Sequence, residues 1–259
     1  MYAARLYKPS VIFRIVPQAL RLARDFMVVP NHIHRWSIAI IASLIVALIA
    51  CFLGFAYAEK YHLVNNFFHG RLEFSFVDGG YPELLGYALE IVACALFVMF
   101  AWVHEKKQWY AWAAILFVTF MDDAFKLHEG IGHSFGLWFG VSSVAGDLIG
   151  FASTGLLSAV LWFAGVRKIF TQEDLSAYLV FTAYYTLLIF FGVAIDAVHG
   201  LMEHMSQTIF TLFEDGGELI TTATICLSAF GMWLREKHNA MQKLQGHTAY
   251  QQTATRKTF

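Results

Sequence analysis

The chain has 259 residues, of which 58% are hydrophobic and only 14% charged, with a formal net charge of −1. Soluble domains carry about 25% charged residues, so an ordinary soluble fold is excluded, and nothing in the charge suggests a nucleic-acid partner. The three cysteines, Cys51, Cys94 and Cys226, all fall in apolar stretches, which argues against a disulfide framework or a thiolate site.

The first 36 residues read as a basic amphipathic segment. Val11, Ile15, Leu22 and Phe26 fall near one helical face, with Arg14, Arg21 and Arg24 toward the other. That pattern suits an interfacial helix on the anionic cytoplasmic leaflet, bent by Pro17 and ended by Pro30. An uninterrupted apolar core followed by a cleavage site is missing, so no secretory leader is expected.

Apolar runs near the ~20-residue length of a membrane span follow, at about 37–58, 83–103, 109–129, 143–164, 175–198 and 212–234. The expected fold is all-α: a polytopic membrane bundle of six spans over residues 37–234, preceded by the amphipathic helix. Residues 235–259 read as a flexible cytoplasmic tail. Fifteen of the 18 Lys and Arg residues lie in the first segment, in 104–108, in 165–174 or in the tail. The 59–82 segment holds two, and the connections 130–142 and 199–211 hold none. Positive charge marks the cytoplasmic side, so both termini are expected inside, in a multi-pass protein of a bacterial-type inner membrane.

The outer ends of four spans collect ionisable groups. Span three ends in "MDDAFKLHEGIGH", with Asp122, Asp123, Lys126, His128, Glu129 and His133, and span four begins with Asp147. Span five ends with Asp196, His199, Glu203 and His204, and span six opens with Glu214, Asp215 and Glu218. At ~1.5 Å per residue, Asp122, Asp147, Asp196 and Glu218 stand roughly 20–31 Å above the cytoplasmic ends. At roughly 100° per residue along span three, Asp122, Lys126, Glu129 and His133 fall within an arc of about 60°. Asp196, His199 and Glu203 share a second stripe, and Glu214 and Glu218 lie one turn apart. Glu90 sits inside span two with its facing open, and Glu59, His62 and His69 in the first outer loop could lid the site.

Nine carboxylates thus face one lysine and four histidines. A charge at mid-membrane costs about 2.5–3.5 kcal/mol even on the lenient insertion scale, so protons, water or metal cations must neutralise them. Histidines at helical spacing among acids favour metal. The expected ligands are Asp122, Glu129, His133, Asp147, Asp196, His199, Glu203, Glu214 and Glu218. Asp123, Lys126, His128, His204 and Asp215 are expected to support them or to move protons, with Lys126 as the salt-bridge partner of Asp122.

In its chemistry the cluster resembles the di-metal carboxylate four-helix bundles, which pair Glu residues with Glu-x-x-His motifs. Asp196-x-x-His199 has that spacing with Asp for Glu, and the other helices depart from the pattern. The resemblance implies zinc, iron or manganese, as one ion or two. Neither a His-Glu-x-x-His protease motif nor the late His-x-x-x-His of ceramidase-type membrane hydrolases occurs. The expected function is a metal-dependent enzyme, a hydrolase or di-metal oxidoreductase, acting on a lipid or amphiphile at the outer side. The alternatives are a cation or proton transporter, and a metal sensor or structural subunit. Against transport, the inner halves of the spans offer almost no polar steps beyond "TTATICLS". Membrane lipids are the expected partners, with a homo-oligomer or further subunit left open.

Overall fold

The structure is a computed structural model that describes residues 9–76, 79–140, 142–195, 198 and 207–256. Those residues are helical with no strand, and five helices are long and apolar enough to cross a membrane: His32–Lys60, Tyr81–Val103, Leu148–Val166, Gln172–Ile195 and Thr208–Gln242. In chain order the elements are α1 (Pro9–Met27), α2 (His32–Lys60), α3 (Tyr81–Val103) and α4 (Trp109–Phe125). They continue with α5 (Leu127–Phe139), α6 (Ser143–Val166), α7 (Gln172–Ile189) and α8 (Gln207–Arg256). A π-helical turn, Phe190–Ile195, extends α7.

Local chemistry sets several of these boundaries. The Asn31 side chain accepts from the Ile33 N–H and opens α2, and the Thr171 hydroxyl accepts from the Asp174 N–H at 3.0 Å and opens α7. Pro82 sits in the first turn of α3, where its missing N–H costs nothing.

One end of the bundle is an aromatic core. The Phe97 ring stacks on Trp109 at 5.5 Å and meets Phe181 edge-on at 4.8 Å, and Phe26 stacks on Phe181 at 6.1 Å. At the rim of this end, Lys106 lies 3.0 Å from Asp174 and 3.7 Å from Glu236, tying the α3–α4 loop to α7 and α8. His104, just past the end of α3, packs its ring at a tilt against Phe100, with ring centres 4.6 Å apart.

The amphipathic α1 differs from the sequence expectation. Its apolar stripe (Ile15, Leu22, Phe26) is buried against α7 and α8 rather than turned to a lipid leaflet. Gly231 on α8 makes this fit: a Cβ there would overlap the Phe26 carbonyl. The helix continues through Pro17 and ends at Met27, before Pro30. Just beyond it, the buried His34 ring places Nε2 3.1 Å from the Leu227 carbonyl oxygen.

Two further differences matter. The expected single helix over 109–129 breaks at Lys126, which has φ 51° and ψ 47°, and the segment expected as a 130–142 connection is largely helix α5. At the other end of the chain, α8 continues past residue 234 to Arg256, so the solvated tail is helical there.

Candidate functional site

The break at Lys126 organises the site. A lysine in the left-handed region is uncommon and must be held by its surroundings. Asp122 supplies the hold: its Oδ1 accepts the backbone N–H of His128 at 2.7 Å and lies 3.1 Å from His128 Nδ1. His128 is the second residue of α5, whose first N–H groups have no intrahelical acceptor and whose dipole favours a negative charge. A carboxylate at the end of α4 therefore caps the start of α5. On its other side the imidazole stacks on Phe151, with ring centres 4.0 Å apart and 17° between planes. Gly150 and Gly146 allow this approach, because a Cβ at either would strike the backbone of His128 or Gly132.

Beside this turn lies a cavity of about 320 Å³. Glu83 and Glu90 of α3, Asp123 of α4, Glu129 of α5, and Glu214, Asp215 and Glu218 of α8 all line it, with Lys126 and His128. Phe76, Leu188 and Leu219 supply apolar wall. Lys126 Nζ stands 3.5 Å from Glu129 Oε1. Glu90 is only 3% exposed, its carboxyl meets that of Asp123, and its Oε2 has no hydrogen-bond partner among the described residues. Two acid groups in contact must hold a proton or a cation between them. The Tyr87 hydroxyl donates to the Asp123 carbonyl at 3.0 Å and also bonds Glu83. Glu218 reaches across to the π-helical turn of α7, where Gly192 leaves space that a side chain would fill.

A second chamber of about 130 Å³ continues inward from Asp123 and Glu218 to Thr119, Ser158 and Tyr185. Tyr185 Oη lies 3.1 Å from Thr119 Oγ1 and donates to Ser158 Oγ at 3.2 Å. Thr119 and Tyr185 lie in the halves of α4 and α7 nearer the acidic cavity, and Ser158 just past the middle of α6. These hydroxyls are scattered over three helices and meet only through packing.

Of the expected ligands, Glu129, Glu214 and Glu218 line the larger cavity and Asp122 the smaller one, with its Oδ1 engaged by His128. His133 is exposed on α5 and is absent from the wall, since the break at Lys126 takes it off the arc of Asp122. Asp147 lies on α6 with its side chain outside the described residues, as do Asp196, His199, Glu203 and His204 entirely. Asp123, Lys126, His128 and Asp215, expected in support, all reach the cavity directly. Glu59 and His69 pair with each other at 3.0 Å, away from the cavity wall. Glu83 and Tyr87 were not anticipated and Glu90 was left unplaced. Their spacing of four and then three residues puts them on one face of α3, and that was the available signal. Among the described residues, no three His, Cys, Asp or Glu side chains stand in a geometry that holds a metal ion.

A family model described as Domain of unknown function (DUF8692) matches residues 8–232. No curated protein and no solved structure matches the chain.

Proposed function

The chain belongs to the DUF8692 family, and we propose that it is a multi-pass membrane enzyme whose outer-facing acidic cavity works with a metal ion on an amphiphile. The observation that supports this reading is the convergence of seven carboxylates from four helices on one cavity of about 320 Å³, within the size range of ligand sites. Counted with α4 as a sixth span beside the five longer helices, the Lys and Arg distribution favours both termini in the cytoplasm and this cavity on the far side. A reporter fused after Phe259 is expected to be cytoplasmic.

Of zinc, iron and manganese, the described donors suit manganese best, because they are carboxylate oxygens and His128 is engaged by Asp122. The described side chains do not complete a ligand set, so the reading assigns the remaining donors to Asp196, His199 and Glu203. A bound metal supplies Lewis acidity and an activated water. Around it, Asp123 and Glu90 keep a proton at the cavity floor, Lys126 offsets part of the negative charge, and the apolar wall receives a hydrocarbon portion. Elemental analysis of detergent-purified protein tests the reading: one or two ions per chain, lowered by His199→Ala and by Glu218→Gln, are expected. A parent protein that is metal-free and binds neither Mn²⁺ nor Zn²⁺ by calorimetry would overturn it.

Cation or proton transport is favoured by one separate observation, the hydroxyl-lined chamber that carries the acidic cavity inward to Ser158. A proton flux in proteoliposomes that falls in Tyr185→Phe would support it, and no flux above empty vesicles would remove it.

A further inference from the structure

We infer that the acidic cavity receives the head group of an aminophospholipid, its ammonium at Glu90 and its phosphate at Lys126, with the acyl chains leaving along α5. This deepens the enzyme reading, and rests on it, by naming the amphiphile. Three features stand in a row. The first is the cavity itself, where the buried Glu90 Oε2 lacks a hydrogen-bond donor among the described residues and Asp123 and Glu218 stand beside it. The second is Lys126, which lines both this cavity and a second groove. The third is that groove, of about 370 Å³, walled by Phe125, Leu127, Ile131, Phe135 and Trp138. Trp138 is 77% exposed and Phe125 62%, so the groove opens to the surroundings of the bundle.

The order of these features (apolar groove, one cation, then an excess of carboxylates) is the order of chemistry along such a lipid: acyl chains, phosphate, ammonium. Charge complementarity selects this occupant over others. A phospholipid whose head lacks a cation would bring only negative charge to seven carboxylates. A choline head is cationic, but its quaternary nitrogen has no N–H to give Glu90. A primary ammonium has three donors, as a lysine head does, and hydrogen bonds from an ionised donor are about twice as strong as neutral ones.

The test uses the full chain in detergent with chelator present, incubated with equimolar dioleoyl phosphatidylethanolamine, phosphatidylcholine and phosphatidylglycerol. Native mass spectrometry then reads which lipid stays bound. A preference for the ethanolamine lipid on the order of tenfold is expected from one charge-assisted contact. Glu90→Gln should abolish that preference. Trp138→Ala should lower retention of all three lipids in proportion. If Glu90→Gln does not accumulate, Glu90→Asp replaces it and should reduce the preference severalfold. Equal retention of the three lipids, or a preference that Glu90→Gln leaves intact, overturns the inference. Because chelator strips any metal, this assay reads the lipid inference alone, and the metal reading is decided by elemental analysis of protein purified without chelator; metal found there with no ethanolamine-lipid preference here would sink only this inference.

Discussion

The Asp122 carboxylate takes the backbone N–H of His128 at 2.7 Å and lies 3.1 Å from its ring nitrogen, joining two helices across a left-handed lysine. One side chain therefore acts as helix cap, as ring orienter and as clamp on the break between the two helices. Replacing Asp122 with Ala should cost about 1–2 kcal/mol, the range for a lost cap. His128→Ala should cost less, because the backbone contact survives. A double-mutant cycle read by thermal melting should give a coupling energy of about 0.5–3 kcal/mol. Additive losses would mean that Asp122 does not hold His128.

Glycines at two neighbouring positions of α6 should behave oppositely. Gly150 abuts the His128 carbonyl, whereas Gly155 has nothing within 4 Å of its missing Cβ. Gly150→Ala should destabilise by about 1–3 kcal/mol, the usual cost of overpacking. Gly155→Ala should be neutral, or stabilising by up to ~1 kcal/mol through helix propensity. Melting temperatures of the two variants, measured in one detergent, decide it.

Phe26 is 2% exposed and stacks on Phe181. Phe26→Ala should cost about 3–5 kcal/mol, the range for deleting a buried aromatic ring. The loss should appear as protease cleavage within α1 before the rest of the bundle is cut. A variant with parent-like protection would show that α1 is not held by this contact.

His104 gives a pH dependence at the opposite end from the cavity. Burial holds its pKa below the ordinary value of about 6.5, Lys106 lowers it further, and Glu236 partly opposes them. A histidine with a depressed folded pKa binds its proton more readily in the unfolded chain. Its contribution is therefore whole above the unfolded value and is lost as pH falls from there through the lower folded value. The parent should lose more melting temperature between pH 7.5 and 5.5 than His104→Phe, which keeps the ring contact with Phe100. Equal losses would exclude the assignment.

Helix placement and the gathering of acids at one end were legible because both rest on local pattern: apolar runs and the spacing of charged residues. The break at Lys126 was not. "DDAFKLHEG" contains no proline and keeps a helical rhythm, and the turn is held by a carboxylate that finds its partner six residues away. Glu83 and Glu90 were harder for another reason. The two acids share a face of an otherwise apolar helix, and only the position of α8 shows that this face looks into a cavity. The α1 stripe could be read as amphipathic but its cover could not, since a groove between α7 and α8 presents the same apolar surface as a leaflet. The Asp196, His199 and Glu203 stripe falls outside the described residues, so its part in the site rests on the sequence alone.

The seating of α1 on α7 and α8 also has a meaning for how the chain is made. Helix α1 is synthesised well before its partners α7 and α8, which follow roughly 150 to 200 residues later. At ~5–20 residues per second, Leu22 and Phe26 wait on the order of ten to forty seconds before the surface that covers them exists. On the membrane reading proposed above, an amphipathic helix with arginines on its other face would rest at the boundary of an anionic membrane during that interval. On that same reading, the interfacial character written in its sequence would serve biogenesis, and docking of α1 would be a late step that closes the aromatic end.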